Sequence, residues 1–342
     1  MTGLLTRRSA LLGGAGILAA PWVARGQAAL PRVRLTTGWS FQGTHSFMLR
    51  AVQAGYFKEA GAEVVVSRGF GSGRLPVDIA GGVFDIGYGD LSATIKFMAD
   101  NPDSDVIIVG VLEDTNQTAM TVLADGPIKA PKDIEGNTLA APESDAGRQL
   151  FPAYAKYAGI DLNKITWISV APELREPMLV QKRATGITGL ASSTALGLKR
   201  IGVDMPQQRI FFYRDFGINL YSNGFVASRK FAERNPEALK AALAGLFRAY
   251  VEYYRDPTDS LKVLAEVEPL TDLKIETERV NFVKEVMPLG KYMQENGISA
   301  VEPERLAFCI RTIEDAYGLP KRLSPERVYT DAYLPPASQR MI

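Results

Sequence analysis

The sequence predicts a two-lobed α/β fold, and three observations carry that expectation. Short runs rich in β-branched residues alternate with helical patterns, the rhythm of a mostly parallel sheet flanked by helices. The alternation occurs twice in succession, each series being roughly 90 residues, an ordinary domain size. The last third is then helical, and the 342 residues are enough for two lobes with real cores.

In the first series Val33–Thr37 is a strand, followed by a helix from about Thr44 to Ala54. Glu63–Ser67 is a second, β-branched strand. A helix over Leu75–Ala80, with Pro76 in its first turn, leads through Gly81-Gly82 to a brief third strand centred on Phe84, Asp85 and Ile86. Leu91–Ala99 reads as helix and Asp105–Leu112 as a buried strand. The second series starts after Met120–Ala124. Its strands are Thr138–Ala141, Ile165–Val170, Gly186–Leu190, Ile210–Tyr213 and Gly224–Ala227. Its helices run from about Ala146 to Tyr157, Glu173 to Lys182 and Thr194 to Ile201.

Glu237–Tyr254 carries a 3.6-period apolar stripe, and Asn235-Pro236 suits its start because Asn caps and Pro fits a first turn. Glu304–Tyr317 repeats the pattern, with Leu306, Cys309, Ile310 and Ile313 on one face. Cys309 is therefore expected in the core rather than as a reactive thiol. The Pro-containing tail, 323–342, should wrap the surface.

Composition narrows the chemistry. Lys and Arg number 39 against 38 Asp and Glu, a net charge of +1, so nucleic acid is not an expected partner. The only cysteine is Cys309 and the only histidine is His45, which rules out an internal disulfide, a His/Cys zinc site or an iron–sulfur cluster. Any imidazole-based mechanism would have a single available base, and no cofactor is expected.

Residues 1–28 read as a targeting segment. Arg7-Arg8 forms a basic start and Ser9–Ala24 is a weakly apolar stretch, shorter than the ~20 residues a spanning helix needs. Gly26-Gln27-Ala28 offers a small-x-Ala cleavage pattern. The paired arginines resemble a twin-arginine export signal cut near Ala28, which would deliver the mature chain to the periplasm.

Four segments, in order, resemble a family. Ala54–Val66 (AGYFKEAGAEVVV) is similar to the GYF-x-E-x-G turn of solute-binding proteins of bacterial ABC importers. Ile79–Gly89 (IAGGVFDIGYG) resembles their L-x-x-G-x-x-D-x-G turn. Pro131–Ala140 (PKDIEGNTLA) resembles their entry into a second lobe, and Ser228–Pro257 their helical return to the first. The subgroup is the one of sulfonate, taurine, nitrate and thiamine-precursor binders, with the fungal-type pyrimidine synthases in the same superfamily. The resemblance implies a type II periplasmic binding protein fold, with a ligand between two lobes and hinge closure upon it. It places lobe 1 at 29–122 and 225–322, lobe 2 at 123–224, and the crossovers near Met120–Ala124 and Gly224–Ser228. It also implies a membrane permease with a separate ATPase subunit as partner, since the chain has no Walker motif. The receptor itself is expected to be a monomer.

In such sheets ligands sit beyond the carboxyl ends of strands. That rule selects Trp39 and Phe41 for stacking on a flat ligand, and Gln42 and His45 for hydrogen bonds to it. Gly71, Ser72 and Gly73 would let backbone N–H groups approach an oxyanion, and Asp90 follows the third strand as a ligand contact or a helix cap. From the second lobe come Glu143, Ser144, Asp145, Arg148 and Ser193, the two serines being contacts or caps. Carboxylates at 90, 143 and 145 favour a ligand with an amine or ring N–H donors. Arg148, Ser193 and the glycines favour an anionic group. A zwitterion or polar heterocycle, sulfonate-, taurine- or pyrimidine-like, would use both; nitrate would leave three carboxylates without partners.

Two other readings remain. One is a ligand-sensing subunit of a membrane signalling system. The other is a pyridoxal-phosphate-dependent pyrimidine-precursor synthase, since Trp39 and His45 have the W-x-x-x-x-x-H spacing of those enzymes. Against it, Asp85–Asp90 lacks their lysine, the nearest being Lys96, and Asn219–Ser228 lacks their cysteine-rich run.

Overall fold

A computed structural model describes residues 29–342. The export segment read at 1–28 lies outside them. Two five-stranded mixed sheets, each flanked by helices, make two lobes. The first sheet holds β1 (Arg32–Thr37), β2 (Glu63–Ser67), β3 (Ile86–Asp90), β4 (Ile107–Val111) and the late β10 (Asn223–Ala227), in the order β2-β1-β3-β10-β4. The second holds β5 (Thr118–Leu123), β6 (Thr138–Ala141), β7 (Thr166–Ser169), β8 (Gly186–Leu190) and β9 (Gln208–Phe212), in the order β7-β6-β8-β5-β9. The two orders share one logic. Three parallel strands are followed by one antiparallel strand, β10 or β5, that has just arrived from the other lobe.

The chain leaves the first sheet after Val111 and enters the second at Thr118; it leaves β9 at Phe212 and re-enters the first sheet at Asn223. The stretches expected as crossovers, Met120–Ala124 and Gly224–Ser228, lie in or overlap the inserted strands instead, and the crossings precede them. Boundaries at 122/123 and 224/225 accordingly fall inside β5 and β10. The physical reason is burial: β5 and β10 are apolar because they sit mid-sheet, whereas the first crossing is the polar run Glu113–Gln117.

The first lobe's helices are α1 (Ser46–Gln53), α2 (Tyr56–Ala60), α3 (Leu75–Ala80) and α4 (Leu91–Asp100). The second lobe carries α5 (Ala146–Ala158), α6 (Arg175–Val180) and α7 (Ala191–Arg200). The helical last third supplies α8 (Arg229–Arg234), α9 (Pro236–Arg255), α10 (Thr258–Val267), α11 (Leu273–Val286), α12 (Lys291–Asn296), α13 (Pro303–Tyr317) and α14 (Pro325–Val328).

Strand β3 lies C-terminal to its expected centre at Phe84–Ile86. Its Gly87 and Gly89 do not interrupt the strand: a Cβ at either would meet the Leu75 side chain of α3 within about 3 Å, so the helix packs on bare backbone there. Cys309 is fully buried on α13, its Sγ accepting from the Tyr221 amide at 3.4 Å. The tail does more than cover the surface, because Tyr329 forms a parallel bridge to Ile108 and the Thr330 amide donates to the Ile108 carbonyl at 3.0 Å. No described helix is long and apolar enough to cross a membrane.

The core is continuous across the lobes on one side. Ile95 and Met98 of α4, Leu150 and Phe151 of α5, and Ile310 and Ile313 of α13 belong to a single buried cluster. On the other side α11 reaches from lobe 1 onto α7 of lobe 2. The strand ends carrying the candidate residues face each other between these two supports.

Candidate functional site

The loop after β1 is built first. Gly38 brings it against the end of β3 and the loop after β2, since a Cβ there would lie 3.0 Å from the Gly89 Cα and the Ser72 Oγ. Beyond it Gln42 precedes a 3-10 turn, Gly43–His45, and its amide donates to His45 Nδ1 at 3.2 Å. That bond requires Nδ1 to be unprotonated. Burial of the imidazole lowers its pKa to about 4, with Glu276 opposing and Arg279 reinforcing the shift, so His45 is neutral near pH 7. Its ring packs edge-on against Tyr88, 5.8 Å between centroids.

This makes a pH prediction. The folded pKa of about 4 lies below the unfolded value near 6.5, so the unfolded chain binds more protons between them. The His45 contribution to stability is therefore complete above the unfolded pKa and is lost as pH falls through that window. Compared with a His45→Gln variant, the wild type should lose about 2 kcal/mol more stability between pH 7 and 5. Urea unfolding at the two pH values measures it; parallel losses would place the imidazole in solvent.

In the loop 69–73 the Gly71 and Gly73 amides are taken up by the protein, Gly71 donating to the Gly38 carbonyl at 2.9 Å. The loop forms a seam between the lobes. The Gly73 amide donates to the Ser144 carbonyl at 2.9 Å, and Ser144 Oγ donates to the Phe70 carbonyl at 2.7 Å. Gly71, at φ 130°, passes so close that a Cβ would sit 2.2 Å from Ser144 Oγ. Ser72 Oγ accepts from the Asp90 amide at 3.2 Å. Asp90 caps α4 through the Ser92 amide at 3.0 Å and receives Asn116 Nδ2 at 3.3 Å; burial pushes its carboxyl up to about 7.

The second-lobe residues divide. Asp145 caps α5 by accepting from the Arg148 amide at 2.9 Å, and it is fully enclosed. Its Oδ2 pairs with Arg175 Nη1 at 3.1 Å while its Oδ1 accepts from Thr188 at 3.1 Å. Glu143 is exposed and holds Ser169 Oγ at 3.0 Å. Arg148 lies over Trp167 with its guanidinium 4.7 Å from the ring centre, and donates to the Ala141 carbonyl at 2.9 Å. Neither faces the inter-lobe groove described next. The three carboxylates expected to await an amine are thus served by the protein itself, so the objection to nitrate raised from them lapses. Ser193 does not cap its helix. It lies inside the first turn of α7, the Ser192 amide being met by Gln117 Oε1 at 3.1 Å, and its hydroxyl donates across the cleft to Gln42 Oε1 at 2.7 Å.

Trp39, Phe41, Gln42 and Ser193 do come together, lining an open inter-lobe groove of about 360 Å3. Its remaining walls were not legible as a site in the sequence. Arg175, 2% exposed, lies over the Trp39 ring at 4.8 Å and binds Glu176 Oε1 through Nε and Nη2 at 2.9 and 2.6 Å. Desolvation works against its charge, but Glu176 and Asp145 outweigh it and hold Arg175 protonated. Arg279 of α11 forks onto Glu276 at 2.8 and 2.9 Å and reaches the Ser192 carbonyl of lobe 2. Glu276 also accepts from the Gly43 amide at 2.6 Å. At the rim Arg68 pairs with Glu173 across the lobes at 3.0 Å.

The pyridoxal-phosphate reading needs a lysine, and none is among the described residues lining this groove. Lys96 is paired with Asp100 at 2.6 Å and lies over Tyr317, in a separate groove that it shares with Arg148 and Trp167.

Two sheets with exchanged antiparallel strands and a polar groove between facing strand ends define a periplasmic binding protein fold. Solved structures agree. The chain superposes on the periplasmic aliphatic sulphonate binding protein SsuA from Escherichia coli with a TM-score of 0.65 at 17% identity, covering 92% of each chain. The alkanesulfonate-binding protein SsuA from Xanthomonas axonopodis pv. citri, bound to MOPS, gives 0.65 at 16% identity over 91% of this chain and 100% of that one. In sequence, the formylaminopyrimidine-binding protein of Halalkalibacterium halodurans is 22% identical over 243 residues, 69% of this chain and 70% of that protein. The NMT1/THI5 like family profile matches residues 42–260, and the chain belongs to that family.

Proposed function

We propose that this chain is the periplasmic solute-binding component of an ABC importer. It would capture a small polar organic solute between its lobes and present the closed form to a membrane permease served by a separate ATPase subunit. The observation that carries the reading is the groove in which Trp39, Gln42 and Ser193 from opposite lobes meet two buried guanidinium–carboxylate assemblies. Planar, directional charge of both signs beside an indole suits a zwitterion or a heterocycle with ring donors and acceptors. One relative is named for binding aliphatic sulphonates, which are anions, and another for binding formylaminopyrimidine, a heterocycle, and both kinds of polar group fit this lining. The family resemblance and the basic, apolar and small-residue order of the N-terminal segment support export, and no partner copy is needed to complete the groove.

A thermal-shift series on the mature chain tests this with alkanesulfonates, taurine, aromatic acids and aminopyrimidines. A true ligand at 100 times its Kd should stabilise by about 2.7 kcal/mol. If none of the four classes shifts the transition, the organic-solute reading is wrong.

A further inference from the structure

Beside the hinge, on the lobe 1 side, lies a second and nearly closed chamber. It lies between the start of the first crossing, Glu113-Asp114, and helices α9 and α11, and its free volume is about 20 Å3. Two buried carboxylates and four tyrosines (Tyr88, Tyr250, Tyr253 and Tyr254) line it. Glu113 is 8% exposed, and its described partners are neutral: Asn223 Nδ2 at 2.8 Å, the Asn223 amide at 3.4 Å and Tyr88 Oη at 3.3 Å. It forms no ion pair among the described residues. Buried carboxylates are ordinarily paired with a cation or driven to hold a proton, and burial does push the Glu113 pKa up. Asp114 is better served, by the Gly290 amide at 2.9 Å and the field of Arg305.

The tyrosines are the independent sign of an occupant. Among those lining the chamber, only Tyr88 has a hydrogen-bonded hydroxyl among the described residues. Tyr250 and Tyr253 are 7% and 5% exposed, yet their hydroxyls are left without partners. Lys284, the one basic residue in the wall, lies over the Tyr254 ring at 5.3 Å.

We propose that this chamber binds the ammonium head of a small primary amine, with Glu113 as its counter-ion and the Tyr250 and Tyr253 oxygens accepting its remaining N–H bonds. An ammonium group carries three donors and no acceptor, which matches a carboxylate plus two unpaired hydroxyl oxygens. Its size matches too: 20 Å3 admits a group as large as a water molecule, and a trimethylammonium head does not fit. Because Glu113 opens the hinge segment and α11 reaches lobe 2, an occupant would brace the side on which the lobes close.

Isothermal titration of the mature chain with methylammonium and with tetramethylammonium chloride, at matched ionic strength, tests the site apart from the groove ligand. Methylammonium should bind saturably and tetramethylammonium should not. Glu113→Gln should weaken methylammonium by about tenfold or more, the loss of one charge-assisted hydrogen bond. Tyr253→Phe, which keeps the ring, should weaken it severalfold and serves if the first variant fails to fold. No saturable heat with methylammonium, meaning a chamber that holds water only, overturns the proposal; so does equal affinity in the two variants and wild type. Neither result bears on the alkanesulfonate and aromatic-acid arms of the solute screen, which carry no primary amine and read the groove alone; taurine, itself a primary amine, is left out when the two readings are separated.

Discussion

Replacing Arg175 by Ala should destabilise the folded chain by about 3–5 kcal/mol, the cost of removing one member of a buried ionic set. The guanidinium is enclosed by Asp145 and Glu176, whose side chains are 3% and 11% exposed. Without it, two largely buried carboxylates remain with no cationic partner between them. Asp145 cannot turn away, because the same carboxylate caps α5 and holds Thr188. Urea unfolding of residues 29–342 measures the loss as a lower midpoint at unchanged slope. The combined variant Asp145→Asn, Arg175→Met, Glu176→Gln removes all three charges and keeps a capping side chain, so it should recover most of the loss. Arg175→Ala also uncovers one face of Trp39 and should change its emission. A loss below 1 kcal/mol would mean that solvent reaches the set.

Much of the fold was legible because its signals are local. The β-branched run at Glu63–Ser67 and the striped helix α9 announce themselves within a few residues, and Cys309 falls on the buried face of a readable stripe. The groove was legible only in half, for a physical reason. Trp39, Phe41, Gln42 and Ser193 follow strand ends, and the rule that ligands gather there finds them. Arg175 follows a strand end too, but in Glu173-Leu174-Arg175-Glu176 it looks like a solvated charge at a helix start. Only the approach of Trp39 from the other lobe gives it a role. Glu276 and Arg279 lie on a helix returning from the last third, more than 230 residues from the Gly43 amide that one of them caps. Arg148 differs in the opposite sense: it follows a strand end as the rule asks, but it lies over Trp167 of β7, on the strand beside β6, in a separate groove. The hinge chamber pairs Glu113 with tyrosines of α9, a proximity no local pattern encodes.

Gly71→Ala should separate closure from folding, with a large loss of binding for a single added methyl. Two penalties act on different states. The backbone at φ 130° is tolerated by glycine and costs an alanine roughly 1–3 kcal/mol, whether the lobes are apart or together. The new Cβ would also stand 2.2 Å from Ser144 Oγ and 2.5 Å from the Ser144 carbonyl oxygen, a clash present only when the lobes meet. The neighbouring bonds Ser144–Phe70 and Gly73–Ser144 cannot persist at their present lengths once that methyl intrudes. If the clash costs the closed form about 2 kcal/mol, ligand affinity falls about 30-fold, because binding is reduced by the fraction of closed molecules. Small-angle scattering of the ligand-free chain should show a larger radius of gyration than wild type. The unfolding midpoint should fall only by the backbone term. Wild-type affinity together with an unchanged radius would mean that the seam at Ser144 is not part of closure. A lower midpoint with normal affinity would reduce Gly71 to a local turn requirement. Loss of affinity that exceeds the loss of stability is the signature of a residue whose small size lets two lobes touch.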